Sequence, residues 1–229
     1  GRGPGRGGGH PRPPLDGLAA QGGGWGIGPA TGVVAYDAQG GGNAAARLWW
    51  MLRALGHERV ALLDGGLPAA LEAGLTLTVE RSAAAALPPY PADHWRLPLV
   101  DAEAVDALRR DPARKLLDAR SPERWRGENE TLDPIPGHIP GSLNLYWADN
   151  LGPDGRFKAP EVLRAQYEAL LDGTSPERLA VHCGSGVTAC HNLLALEVAG
   201  LSGAALYVGS WSEWCRSDRA KSGSTKDTK

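Results

Sequence analysis

The sequence is short of cysteine, of uninterrupted apolar runs and of any excess of charge. Its three cysteines, Cys183, Cys190 and Cys215, all lie beyond residue 182 of 229. An odd, clustered set makes a poor disulfide framework and fits free thiols in a reducing compartment, so a cytoplasmic location is expected. No apolar run approaches the roughly 18 residues of a membrane span. The formal net charge of −2 leaves no electrostatic footprint for nucleic acid or an anionic membrane. The N-terminal stretch lacks the apolar core of a secretory signal. Arg2, Arg6 and Arg12 with no acid before Asp16 share a bias of transit peptides, yet the Ser-rich amphipathic character is missing. Glycines 7–9 and 22–24 are followed by no Gly-Lys-Ser/Thr, so neither forms a phosphate loop. His182 and His191 have no companions at metal-ligand spacing, and no metal is expected.

What is present is an apolar fraction of 42%, enough for a core, arranged in an α/β pattern. Residues 1–28 are low-complexity and rich in glycine, which is costly to order, so the segment is expected to be disordered. Residues 29–79 form a first α/β series. "VVAYD" (33–37) reads as a strand, "AAARLWWMLRALGH" (44–57) as an amphipathic helix, "VALLD" (60–64) as a strand and "PAALEAG" (68–74) as a short helix. Residues 80–98, with "PPYP", read as a linker. Residues 99–218 form a second, longer series. Helices are expected at 100–111, 121–127, 159–171 and 188–200. Strands are expected at 115–120, within 137–147, at 178–183 and at 204–209. Residues 219–229 read as a flexible polar tail. Such alternation predicts a parallel sheet with helices on both faces and a site beyond the carboxyl ends of its strands.

Cys183 stands at such an end, in "VHCGSGVTACHN" (181–192). Gly184 and Gly186 let the loop curl so that its N–H groups form a nest for negative charge, and the following helix adds its positive end. A thiolate would be stabilised there, with Ser185 and Thr188 adding hydroxyls. The arrangement fits a nucleophile in an anion cradle. A buried structural cysteine beside a helix start is the plainer alternative, and the two glycines at a strand end argue against it. Two chemistries fit. A phosphatase-type loop places arginine six residues after the cysteine, where this chain has Ala189, and a phosphate dianion would lose its bidentate partner. Sulfur transfer through a cysteine persulfide needs no such arginine.

"CGSGVTA" (183–189) resembles the active-site loop of the tandem-domain sulfurtransferases, the rhodanese family. "LLDAR" to "RWRGE" (116–128), "GHIPGSLN" (137–144) and "GSWSEW" (209–214) resemble that family's motifs in the family's order. Residues 33–69 resemble the second half of its N-terminal domain, in which an aspartate, here Asp37, takes the cysteine position and the domain is silent. The resemblance implies a rhodanese-like fold with one complete catalytic domain and one partial, inactive domain.

For the site, it implies Cys183 as the persulfide-bearing nucleophile. Gly184, Ser185, Gly186, Val187 and Thr188 would form the cradle, with Ser185 also a candidate for a Ser-His-Asp arrangement. Arg124 would bind the donor's anionic group, and Asp118 and Arg120 would support the loop. Arg120 also reads as a structural ion pair and Arg126 as a solvated arginine. The implied reaction moves a sulfane sulfur from a small anionic donor, thiosulfate first and 3-mercaptopyruvate as the alternative. The acceptor would be cyanide or a thiol, such as a thioredoxin-like protein, and no metal or organic cofactor is implied. A non-turnover sulfur carrier or anion-binding module is the reading from another class.

Three departures bear on these expectations. The second substrate arginine of mercaptopyruvate enzymes falls at Asp133. Gly184 and Ser185 stand where thiosulfate enzymes carry basic residues. The family's first half-domain, with the histidine and aspartate partners of the loop serine, is expected to be missing, so that residues 33–75 hold only by docking or hold poorly. Of the remaining residues, Cys190, Trp49, Trp50, Trp211 and Trp214 read as core, Cys215 as exposed, and His57 and His138 as structural.

Overall fold

The computed structural model describes residues 9–80 and 84–223. They divide into two compact units. One holds residues 12–97 and 151–157; the other holds 98–150 and 158–223 together with the described residues before Arg12.

The first unit begins with a helix, α1 (Leu15–Gly24), where the sequence predicts disorder. Composition misleads here because one of the glycines, Gly23, sits where a backbone comes close. A Cβ on Gly23 would lie 2.2 Å from the Pro88 carbonyl oxygen. The chain at 87–90 lies along α1 and bonds to it, Leu87 N–H to Gly23 O at 2.8 Å and Tyr90 N–H to Ala19 O at 2.9 Å. The expected linker is therefore partly a strap: Tyr90 is buried with its ring edge-on to His57, and Arg96 N–H bonds to Ala54 O. Strand β1 (Val33–Ala35) pairs in parallel with β2 (Val60–Leu62), and α2 (Ala45–Leu55) packs on both. Gly56 ends α2 in the left-handed conformation, as its sequence foretells. The short α3 (Gly66–Glu72) follows. Leu18, Trp49, Trp50, Leu52 and Leu55 are buried. Val34 on the two-stranded sheet and Tyr36 just beyond it stay exposed. The unit thus has α1 and the strap as internal support, which the expectation of residues held only by docking did not include.

The second unit is a five-stranded sheet in the order β3-β7-β6-β4-β5, every pair parallel. Its elements are β3 (Leu99–Val100), α4 (Ala102–Leu108), β4 (Lys115–Asp118), α5 (Pro122–Arg126), β5 (Ser142–Asn144), α6 (Pro160–Leu171), β6 (Leu179–His182), α7 (Ala189–Val198), β7 (Ala205–Tyr207) and α8 (Ser210–Trp214). Two of these, β3 and α8, were not expected. Leu99 and Val100 pair with β7, and the Asp101 carboxylate then caps α4 by accepting from Ala104 N–H.

Alternation along the strands divides the core. Leu116, Ala180, Ala205 and Tyr207 cluster with Val105 and Leu108 of α4 and with Trp211 and Trp214 of α8. On α6 and α7, Leu163, Tyr167, Leu171 and Leu196 are buried. Cys215 belongs to the first cluster at 1% exposure, which corrects its expected exposure. Residues 220 and 222 of the expected flexible tail are held by bonds: Ser222 pairs with His138, and Trp214 Nε1–H bonds to Ala220 O. Residues 224–229, and residues 1–8 of the expected disordered segment, lie outside the described residues. No helix among the described residues is long and apolar enough to cross a membrane.

Candidate active site

The loop 183–188 leaves the carboxyl end of β6 and enters α7, as the motif predicts. Its shape is fixed from two sides. Along α8, Trp211 N–H bonds to Cys183 O at 2.9 Å and Ser212 N–H to Gly184 O at 2.8 Å. Ser210 Oγ accepts from Cys183 N–H at 3.2 Å and donates to Tyr207 O at 2.9 Å. Ser210 holds φ at +54°, unusual for a residue with a side chain, and these bonds hold it there. On the inner side, Gly186 N–H points at Cys183 Sγ at 3.1 Å. Gly186 has φ +74°, and a Cβ there would lie 2.6 Å from Val208 O, so only glycine makes this turn. Thr188 heads α7 without using its side chain as a cap. Val187 and Thr188 are half-buried, and Cys183 is buried. Cys190 is also buried, with its thiol on Gly186 O, as a core residue.

Beneath the loop lies a buried ion network. The Asp118 carboxylate accepts from Arg120 N–H at 2.9 Å and from its Nη2 at 2.8 Å, and His182 Nε2 lies 3.7 Å away. Burial opposes charge on Asp118, but the fields of His182 and Arg120 outweigh it and hold the carboxyl below its ordinary value. Burial also opposes charge on Arg120. Asp118 and Glu130 outweigh that and raise it. Arg120 further donates to Gly137 O at 2.8 Å and lies over the Trp211 ring. Arg120 is therefore a structural ion pair, while Arg126 is exposed and pairs with Glu128.

Arg124 reaches the loop from α5. Its Nη2 and Nη1 lie 3.5 and 3.6 Å from the point a Gly184 Cβ would occupy. Its other partner was not foreseen: Glu130 accepts from Arg124 Nη2 at 2.8 Å and from Arg120 Nη1 at 3.2 Å. Glu130 was hidden in a polar stretch, "GENETLD" (127–133), with no periodicity to mark it. Asp133 pairs with Arg216 at 3.1 Å and lies 3.9 Å from Arg124.

The larger surprise is His10. Its Nδ1 lies 2.8 Å from Ser185 Oγ, and a Cβ on the preceding Gly9 would be 3.4 Å from Ser185 Cβ. A histidine therefore meets the loop serine even though the family's own histidine partner is expected in the missing half-domain. Glycine dominates the segment, and a single histidine inside it carries no signal of its own.

The Asp37 loop repeats the strand–loop–helix layout with a different centre. The Asp37 carboxylate accepts backbone N–H bonds from Gln39, Gly41, Asn43, Ala44 and Ala45, at 2.8 to 3.1 Å. The nest is filled by a side chain of its own chain. Burial opposes this charge, but the bonds from Ala44, Gln39, Ala45 and Gly41 hold the carboxyl below its ordinary value. No sulfur nucleophile stands in that loop. Among the described residues, no group of three or more His, Cys, Asp or Glu could hold a metal ion.

The rhodanese-like domain family matches residues 101–217, the span that contains the Cys183 loop and its ion network. The chain belongs to the rhodanese family. It is 46% identical over 215 residues to a probable 3-mercaptopyruvate sulfurtransferase of Pseudomonas aeruginosa, covering 92% of this chain and 74% of that one. It is 38% identical over 207 residues to the thiosulfate sulfurtransferase of Bos taurus, covering 86% of this chain and 65% of that one. Among solved structures, the 3-mercaptopyruvate sulfurtransferase from Leishmania major superposes with a TM-score of 0.77 at 30% identity. That match covers 90% of this chain and 57% of the Leishmania protein, so this chain spans little more than half of that relative's length.

Proposed function

We infer that this chain transfers sulfane sulfur through a persulfide on Cys183. The supporting observation is the loop itself: a cysteine at a parallel-strand end, facing Gly186 N–H, with Arg124 at its mouth. The Cys183 thiolate attacks the donor's outer sulfur and forms an S–S bond while the donor's bond to that sulfur breaks. With thiosulfate the leaving group is sulfite. With 3-mercaptopyruvate a C–S bond breaks, and the enolate of pyruvate leaves and takes up a proton. An acceptor nucleophile then attacks the outer sulfur and returns the Cys183 thiolate; cyanide yields thiocyanate, and a protein thiol becomes a persulfide.

The sequence puts thiosulfate first. The His10–Ser185 contact moves 3-mercaptopyruvate ahead, because only that donor's leaving group needs a proton. Ser185 Oγ lies between the loop and the imidazole and can relay one. The similarity to 3-mercaptopyruvate sulfurtransferases agrees with this order. Thiosulfate is the second reading, supported by the similarity to the bovine enzyme.

The test is turnover of each donor with cyanide, with Cys183→Ser as control. Pyruvate and thiocyanate formed at equal rates, and lost in the variant, are the expected result. An intact mass raised by one sulfur without turnover would leave a sulfur carrier instead. No mass change and no turnover with either donor would sink the reading.

A further inference from the structure

The Glu130 side chain is 1% exposed, and it collects donors from two arginines and two backbone groups. Arg120 Nη1 reaches it at 3.2 Å, Leu132 N–H at 2.9 Å and Asp133 N–H at 3.2 Å. Arg124 gives it one edge of its guanidinium, Nη2 at 2.8 and 2.9 Å and Nε at 3.3 Å. Among the described residues, Arg124 Nη1 has no hydrogen-bond partner, and it lies 3.6 Å from the Gly184 Cβ point. A guanidinium is a rigid planar fork, so fixing one edge sets the direction of the other. Arg124 sits on a helix of five residues and is itself 22% exposed; the short element alone does little to orient a long side chain.

We propose that Glu130 is a positioning residue for the donor. By holding the Nε and Nη2 edge of Arg124, it aims Nη1 at the mouth of the Cys183 loop, where the donor's anionic group binds. This rests on the sulfurtransferase reading above. Charge alone argues the opposite sign, since a carboxylate beside Arg124 lowers the positive potential that draws an anion. Glu130→Asp separates the two effects: it keeps the charge and withdraws the carboxylate by one methylene.

The experiment measures steady-state constants for 3-mercaptopyruvate and thiosulfate on the full chain. It compares wild type, Glu130→Asp, Arg124→Ala and the double variant, with urea unfolding to check each fold. Glu130→Asp is expected to raise KM about tenfold with kcat within about twofold, since small misplacements of a binding group are costly. In the Arg124→Ala background the same change should do nothing further. An unchanged KM, or an equal rise without Arg124, overturns the proposal. If the Asp variant unfolds, the near-isosteric Glu130→Gln runs through the same cycle, and a KM unchanged or lowered overturns it. Loss of folding in both marks Glu130 as structural and overturns it too. If wild type turns over neither donor, the sulfurtransferase reading fails on its own. Calorimetric binding of thiosulfate to Cys183→Ser, with and without Glu130→Asp, then decides: weaker binding in the Glu130→Asp form supports positioning, and equal binding overturns it.

Discussion

Ser185 Oγ and His10 Nδ1 meet at 2.8 Å although 175 positions separate them in the chain. On the proposed reading, the contact would serve as a proton relay beside a nucleophile and an anion cradle. The two donors should then respond differently to the same variants. Ser185→Ala and His10→Ala should each lower kcat for 3-mercaptopyruvate by about 10²- to 10⁴-fold, the usual range for a positioned acid or base. Neither should slow thiosulfate comparably, because sulfite leaves without a proton. Parallel rate measurements with both donors check this. Equal losses for the two donors would show that the pair shapes the loop rather than moving a proton.

The loop's geometry gives a second prediction at Gly186. Its φ of +74° and the 2.6 Å approach of Val208 O leave no place for a methyl group. Gly186→Ala must therefore push the loop away from β7 and turn its N–H from Cys183. Stability should fall by about 1–3 kcal/mol, typical of strain at a special backbone position. Persulfide formation should be lost. Urea unfolding reads the first effect and intact mass after donor treatment the second; a folded variant that still takes up sulfur would contradict the cradle.

These residues show what was legible and what was not. Cys183, Gly184 and Gly186 advertise themselves, because a cysteine between a β-run and a helix, flanked by glycines, has few structural uses. Asp118 and Arg120 follow from their position at the end of β4. His10 does not, because its contact with Ser185 spans 175 positions, and Glu130 does not, because its contacts, though close in sequence, lie in a polar stretch with no periodicity. Composition was a poor guide to α1, whose Gly23 permits the Pro88 strap to approach. Short elements such as β3, with two residues, leave too little periodicity to read.

Three buried or half-buried histidines should make the fold sensitive to acid. Burial holds His57, His138 and His182 below the ordinary imidazole value, against the opposing pull of Asp118 on the last two. The unfolded chain takes up protons on these rings near pH 6.5, while the native chain does so only lower. Unfolding is then favoured as pH falls through that window, and stability rises with pH. The urea midpoint should drop between pH 7.5 and pH 5.5, a range above most carboxylate titrations. A midpoint unchanged across it would mean that the rings keep their ordinary values.

Asp37 provides a test of the filled nest in the first unit. Its carboxylate satisfies five backbone N–H groups that would otherwise need other partners. Asp37→Ala removes every acceptor at once and should cost about 2–4 kcal/mol, given about 1.5–3 for a single bond to a charged group and incomplete additivity. Asp37→Asn keeps one carbonyl and should cost about half as much. The carboxyl is held below its ordinary value, so its contribution is fully present above the unfolded value of about 4 and is lost as pH falls through the folded one. The stability gap between wild type and Asp37→Ala should therefore be constant from pH 5 to pH 7 and narrow below about pH 4. Urea unfolding at several pH values reads both. A variant as stable as wild type at pH 7, or a gap that stays constant on acidification, would show that the nest does not depend on the charge at its centre.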